Sequence, residues 1–409
     1  MDMVCDKLPE INHDFDNDPI PLKLQDGWIK TNGTTLGADN GIGVAFALAL
    51  SEDKSVSHPP LELFFTVDEE TGLHGAQNFN TEYLSGKKLL NIDTEEWGSI
   101  YIGCAGGEDV TFSRNYISKK KEINLKIEVT GLKGGHSGID IHRGRLSATK
   151  ILAFILNAYV TEHKNHSLEL SAFNAGIAHN IIPRNASALL NVPKNNKESF
   201  IKFCEQKIIA IKEHCNTEDL NLSLNFSDPE IKEDDVISNQ CLDRFLNMLS
   251  LCPHGAHKID WRFEEELVSQ SSNLAKVNLK NNKLQGEISF RFNNEFEREV
   301  YLQKLNAFSV QCDLNLNIEG YYPSWVPSIG DNPFLETAKE VFKNEFSCEA
   351  KIKAIHAGLE CGLIKEKLGD IDIVSIGPNI TGAHSPSESL EIKSTQDLWK
   401  FLTKFLAAN

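Results

Sequence analysis

The spacing of apolar and polar residues changes texture twice along the chain. In the first hundred residues, short apolar runs alternate with helix-like stretches. Leu61-Glu62-Leu63-Phe64-Phe65-Thr66-Val67 is rich in β-branched and aromatic residues and breaks off into Asp68-Glu69-Glu70-Thr71-Gly72. It reads as a buried strand with acidic side chains at its mouth. Residues 44–50, all apolar and alanine-rich, suit a buried helix, and 88–93 and 98–104 read as two more strands. Alternating strands and helices predict an α/β domain.

The texture changes near Asp109. Ile123, Leu125, Ile127 and Val129 alternate with Asn124, Lys126, Glu128 and Thr130, the pattern of a half-exposed antiparallel strand. Helices at about 146–160 and 198–213 and strands near 168–173, 187–192 and 284–292 continue it. Past Tyr321-Tyr322-Pro323 the first texture returns, with a helix over 334–346, a buried strand over 371–376 and a closing helix over 395–406. The expected plan is an α/β domain with a mixed sheet flanked by helices, residues 1–109 plus 323–409, interrupted by an α+β insertion over 110–322. No repeat or low-complexity tract is visible.

Composition narrows the function. A chain of 409 residues with 41% hydrophobic and 24% charged residues is ordinary for a globular protein of two or three domains. No apolar stretch is long enough for a membrane-spanning helix, and the start has no signal-peptide pattern. A net charge of -17 argues against nucleic acid as a partner, because phosphate binding rests on clustered Lys and Arg. The nine cysteines are scattered, without a Cys-x-x-Cys pair, which points to reduced thiols in a cytoplasm rather than a disulfide framework or thiolate zinc site.

Candidate chemistry lies where polar residues end apolar runs beside glycine. Asp39 sits in Gly37-Ala38-Asp39-Asn40-Gly41, Glu69 and Glu70 close the run at 61–67, Asp93 ends Asn91-Ile92-Asp93, and His384 lies in Gly382-Ala383-His384-Ser385-Pro386. Taken singly each is an ordinary loop residue, and Asp-Glu-Glu alone is a solvated turn. Together they are the carboxylate and imidazole set of a hydrolytic zinc, cobalt or manganese centre, and open α/β sheets gather ligands at the carboxyl ends of strands. Two ions need a bridging carboxylate, and the Gly-rich turn makes Asp39 the candidate. Adjacent residues point different ways, so one of Glu69 and Glu70 can hold metal while the other moves protons.

Thr34-Thr35-Leu36-Gly37-Ala38-Asp39-Asn40-Gly41-Ile42-Gly43, Glu69-Glu70, Ile92-Asp93-Thr94-Glu95-Glu96, Gly134-Gly135-His136-Ser137-Gly138, His356-Ala357-Gly358-Leu359-Glu360-Cys361-Gly362 and Ser375-Ile376-Gly377-Pro378 through Gly382-Ala383-His384-Ser385-Pro386 closely resemble the aminoacyl-histidine dipeptidases. These are also called peptidase D or cytosolic non-specific dipeptidases, a branch of the two-zinc aminoacylase and carboxypeptidase clan. The resemblance runs essentially from end to end. It implies a zinc-peptidase catalytic domain with an inserted lid and dimerisation domain, a homodimer, and hydrolysis of Xaa-His and other unblocked dipeptides with two zinc ions. Asp39 would bridge both ions, Asp93 would bind the first, Glu70 and His384 the second, and Glu69 would be the general base. The resemblance also implies a cis Asp39-Asn40 bond and an oxyanion-stabilising role for His136, across a dimer interface or on domain closure. Asn180, Arg184 and Arg291 are candidates for the substrate carboxylate, for which Arg is geometrically suited.

One family motif is incomplete. Its first zinc site begins His-x-Asp-Met-Val; here Asp2-Met3-Val4 is present and the histidine would fall one residue before Met1. Asp2 normally orients that imidazole. A start codon assigned too late and a genuine truncation both account for this, and the intact remaining motifs favour a shortened sequence of an active enzyme. With Asp39 and Asp93 alone on the first ion, the chain as written is expected to be nearly inactive. Rival readings are a catalytically dead relative acting in binding or dimerisation, a tripeptidase, and an N-acyl amino-acid deacylase. His254 and His257 read as a surface turn, Glu95-Glu96 as a solvated turn, and His356 with Glu360 as neighbours on one helical face.

Overall fold

The computed structural model describes residues 2–164, 166–263, 267–327 and 332–409. The chain divides into two compact units, one of Met1–Ala105, Phe263–Glu265 and Pro323–Asn409, the other of Gly106–Arg262 and Glu266–Tyr322. The fold class expected from the sequence, mixed α/β, is the one observed.

In the first unit the strands Lys351–Ile355, Ser99–Cys104, Asp372–Ser375 and Lys88–Asn91 lie side by side in that order. The two outer pairings are parallel and the central one is a single antiparallel contact, Ser375 with Tyr101. Ser99–Cys104 is buried throughout, which explains its unbroken apolar character. The closing helix Ile392–Ala407 buries Leu398, Phe401, Leu402 and Phe405, spacings of three and four that form one apolar stripe. Pro333–Phe346 starts on Asn332, whose side chain accepts the Leu335 N–H at 3.1 Å. These stripes meet Ile100, Ile102, Ile373 and Val374 in one core cluster.

Two elements depart from the sequence reading. The run at 61–67 forms no strand: Leu63, Phe65 and Val67 are exposed, while Phe64 packs against Phe79 with ring centroids 4.9 Å apart. A strand needs a ladder partner. Here the Glu62 carboxylate takes the Ser85 and Gly86 N–H groups at 3.0 Å, and the Val67 carbonyl accepts from Gly75 at 2.9 Å, so side-chain and turn bonds replace a ladder. The helix Ala38–Glu52 is likewise buried on one face only, through Ala38, Gly43, Phe46 and Leu50, with Leu48 exposed.

The second unit is built on an antiparallel sheet in the order Ser223–Ser227, Leu125–Thr130, Ala186–Asn191, Glu169–Ala175, Leu267–Lys280, Lys283–Phe292, Gly106–Asn115, Asn315–Tyr322. Ile127 and Val129 face the core, as their alternation predicts. Leu267–Lys280 and Lys283–Phe292 are joined by Asn281 and Asn282, both at positive φ, the two-residue turn that matches strand twist.

His254 and His257 are not a surface turn but flank the start of the strand Gly255–Asp260. His254 Nδ1 accepts the Leu274 N–H at 3.1 Å and His257 Nε2 meets Ser272 Oγ at 2.7 Å. Burial, with Lys150 and His257 alongside, pushes the His254 imidazole down to about 3. Its folded-state pKa lies below its ordinary 6.5, so its contribution is complete above pH 6.5 and is lost as pH falls below that value. The residue as a whole is half-buried, and screening leaves a loss of about 1–2 kcal/mol between roughly pH 6.5 and 4.5. Urea unfolding at the two pH values should show that loss. It should shrink in His254→Gln, whose amide oxygen accepts the same N–H without titrating, and an undiminished loss would place the acid sensitivity elsewhere.

Candidate metal centre

Three of the four expected metal ligands converge. His384 Nε2 lies 3.1 Å from Asp39 Oδ2 and 3.2 Å from Glu70 Oε2. One ligand atom from each of these residues lies within 4.8 Å of the others. One imidazole and two carboxylates are the donor types that zinc, cobalt and manganese accept, so the residues fit a divalent ion. Asp93 is outside this triplet but within electrostatic reach. Burial first, then the charges of Asp39, Glu69, Glu360 and Glu95, hold its carboxyl well above the usual range.

Local sequence explains each placement. Asp39 precedes the regular part of its helix, with φ -85° and ψ 105°, and the Asp39-Asn40 peptide is cis. Asn40 Oδ1 accepts the Gly43 N–H at 3.0 Å, and a Cβ on Gly43 would meet Asn40 Oδ1 at 2.4 Å and the Ile92 carbonyl at 2.7 Å. Glycine is therefore required where the Asp39 and Asp93 segments approach. Glu69 and Glu70 are presented by a turn that Asp68 fastens, its carboxylate holding Thr71 Oγ1 and His74 Nδ1 while the Glu69 carbonyl accepts the Leu73 N–H at 2.9 Å. His384 has φ 60° in the loop 382–388, two residues after Gly382 at φ 69°.

Glu69 sits among acids. Burial, followed by the charges of Glu70, Glu360, Asp39 and Asp2, pushes its carboxyl up to about 8. Glu360 contributes from a buried position, where Oε2 accepts Thr66 Oγ1 at 2.8 Å and Oε1 finds no hydrogen-bond partner among the described residues. It opens the helix Glu360–Leu368, whereas His356 follows the strand Lys351–Ile355, so the two do not share a helical face as their spacing suggested. Asp2 Oδ2 accepts the Glu70 N–H at 3.1 Å. Glu95, expected in a solvated turn, feels Asp39, Glu388 and Glu70, and burial with these charges pushes it up to about 7. Glu96 pairs with Lys353 at 3.0 Å.

His136, Asn180, Arg184 and Arg291 belong to the second unit. His136 bridges to Ile181, Ser137 N–H donates to the Asn180 carbonyl at 2.8 Å, and a Cβ on Gly134 would strike Arg184 Cγ at 2.2 Å. These three candidates therefore share one corner. His136 Nδ1 accepts the Gly138 and Ile139 N–H groups at 3.2 and 3.1 Å, which puts the proton of the neutral ring on Nε2. Arg291, buried in the strand Lys283–Phe292, donates to the Tyr322 hydroxyl. A grouping not foreseen from sequence, Asp109, His179 and Glu287, is tied up internally, with Asp109 on His179 at 3.0 Å and Glu287 on Lys276 at 2.8 Å.

Residues 1–408 match the sequence model of peptidase family M20/M25/M40. The chain belongs to that family. Cytosol non-specific dipeptidase of Escherichia coli is 34% identical over 411 residues, 99% of this chain and 83% of the relative. The crystal structure of aminoacylhistidine dipeptidase from Vibrio alginolyticus superimposes with TM-score 0.85 at 31% identity, over all of this chain and 82% of that one. A tripeptidase from Staphylococcus aureus, at 16% identity and TM-score 0.50 over 95% of this chain and 76% of its own, shares the fold. This M20 peptidase is thus a peptide hydrolase, and membership implies a divalent metal. Among the described residues no helix is long and apolar enough to cross a membrane.

Proposed function

We propose that this M20 peptidase hydrolyses unblocked dipeptides, Xaa-His among them, using two divalent ions with zinc as the first candidate and cobalt or manganese as alternatives. Asp39 would be shared between the ions, Asp93 would hold the first, and Glu70 with His384 would hold the second. The convergence of His384 Nε2 on Asp39 and Glu70 carries this reading, and the two dipeptidase relatives support the substrate class. When bound, the ions supply Lewis acidity toward the scissile carbonyl and the attacking water. Glu69, a carboxylate made more basic by burial and then by its acidic surroundings, takes the water's proton and returns it to the departing amine. His136 donates from Nε2 to the developing oxyanion, and Asn180, Arg184 and Arg291 orient the substrate carboxylate. Asp2, bound to the Glu70 backbone, steadies the turn that presents the two glutamates. The second unit serves as lid and dimerisation domain of a homodimer. Nine cysteines outside any disulfide and the cytosol relative support a cytoplasmic location.

The test compares free dipeptides, tripeptides and N-acyl amino acids as substrates of the metal-loaded protein carrying the histidine of the His-x-Asp-Met-Val motif ahead of Asp2, with metal content measured on the same sample. Preferential dipeptide turnover with two ions per chain is the expected result. Faster hydrolysis of tripeptides or N-acylated substrates sinks the substrate assignment, and a single ion per chain sinks the bridging role of Asp39.

A further inference from the structure

Glu388 is only 3% exposed, and its carboxylate accepts from four backbone N–H groups beside the centre. Oε2 takes the N–H groups of Leu36 and Gly37 at 2.7 and 2.9 Å, and Oε1 takes those of Ala38 and Asp39 at 2.8 and 3.2 Å. Four successive backbone donors thus converge on one side chain, and the last belongs to Asp39 itself. Removing a carboxylate from water is costly unless such donors replace the water, and charge-assisted bonds of this kind are the strong ones. The backbone leading into Asp39 is therefore held by a residue about 350 positions away.

Glu388 also ends the loop that carries His384. The strands Ile380–Thr381 and Ser389–Glu391 pair, Ile380 with Leu390 and Thr381 with Ser389, and the loop between them has His384 near its middle. Inside it the Ser385 N–H donates to the Gly382 carbonyl at 3.1 Å, the Glu388 N–H to the Ser385 carbonyl at 3.0 Å, and Ser385 Oγ to the Gly382 carbonyl at 2.6 Å. The loop that places His384 is thus closed on itself, and its last residue grips the segment that places Asp39.

We propose that Glu388 is a positioning residue for the metal centre, its carboxylate fixing the Asp39 backbone to the His384 loop so that the two ligands keep their mutual distance with or without metal. The inference rests on the reading of Asp39 and His384 as ligands. It demands a carboxylate in particular. Glutamine has one acceptor oxygen, so its NH2 group would confront two of the four N–H donors, and aspartate is too short to reach all of them.

Apo protein is titrated with Zn2+ against a chromophoric chelator and with Co2+ by visible absorption, for the unsubstituted chain, Glu388→Gln, Glu388→Asp and Phe405→Ala. Phe405 is fully buried in the core cluster of the same unit and serves as a destabilised control. Groups that orient ligands are typically worth about 10–100-fold in metal affinity. A loss of that size in Glu388→Gln, with an altered Co2+ spectrum and a folded far-UV signature, is expected, while folded Phe405→Ala binds like the unsubstituted protein. Metal affinity within about twofold in Glu388→Gln overturns the proposal even if its melting temperature falls. Failure of both Glu388 variants to fold assigns the residue to the fold alone and likewise overturns it. An unsubstituted protein that takes up no metal overturns instead the functional reading beneath it.

Discussion

Glu69→Gln lowers kcat by about 10²–10⁴-fold, the range that positioned proton transfer contributes, while KM and metal content stay close to those of the unsubstituted protein. Glutamine keeps the size of the side chain and its place in the turn held by Asp68, so the loss is of the base alone. The environment favours this residue over its neighbour as the proposed base. In the metal-free protein burial and four nearby carboxylates push Glu69 up to about 8, whereas Glu70 faces His384 at 3.2 Å, in the position proposed for a ligand. Steady-state kinetics with metal analysis check the outcome. Retention of more than a tenth of kcat, or loss of metal along with activity, sinks the assignment.

His384→Ala abolishes tight metal binding, with a loss greater than the roughly 10–100-fold that an orienting group is worth, because a donor atom itself is gone. A pH effect accompanies it. In the metal-free protein, hydrogen bonds to Asp39 and then Glu70 push the His384 imidazole up to about 10. The folded-state value lies above the ordinary 6.5, so this ion pair supports the apo fold fully below pH 6.5 and is lost as pH rises through about 10. Metal needs the neutral ring, so binding expels a proton, and apparent affinity climbs with pH by up to about tenfold per unit until the ring is neutral without help. Calorimetry in two buffers of different ionisation enthalpy should show that proton release near pH 7.5, and His384→Ala should release about one proton fewer per ion, the raised carboxyls of Asp93 and Glu69 supplying the rest. Metal uptake without proton release contradicts the ligand role of His384.

The candidate ligands were legible because they lie where apolar runs stop near a glycine, a place where the backbone turns sharply and a polar side chain is left at the turn. Asp39, Glu70 and His384 stand out on that criterion and do meet in space. Leu61–Val67 carried the same apolar signal and misled, since β-branched and aromatic content reports suitability for a sheet and not the presence of a pairing edge. Leu267–Lys280 failed in the opposite way. Ser269, Gln270, Ser271, Ser272 and Asn273 are all buried in it, so no alternation marks one of the longest strands of its sheet. Its polar side chains are partly satisfied by groups distant in sequence, such as the His179 and Ile181 carbonyls that Asn273 Nδ2 holds at 3.1 and 2.9 Å.

By itself the sequence determined the α/β class, the amphipathic helices and the choice of acidic and imidazole candidates, because periodicity and glycine placement act over a few residues and need no partner to be read. Tertiary structure alone decided which carboxylates crowd Glu69 and raise its basicity, and which nitrogen of His136 carries the proton. It also decided that a lone acid in Ser385-Pro386-Ser387-Glu388-Ser389 would anchor the backbone of Asp39. Those properties come from distances between groups tens to hundreds of residues apart, and local pattern carries no record of such distances.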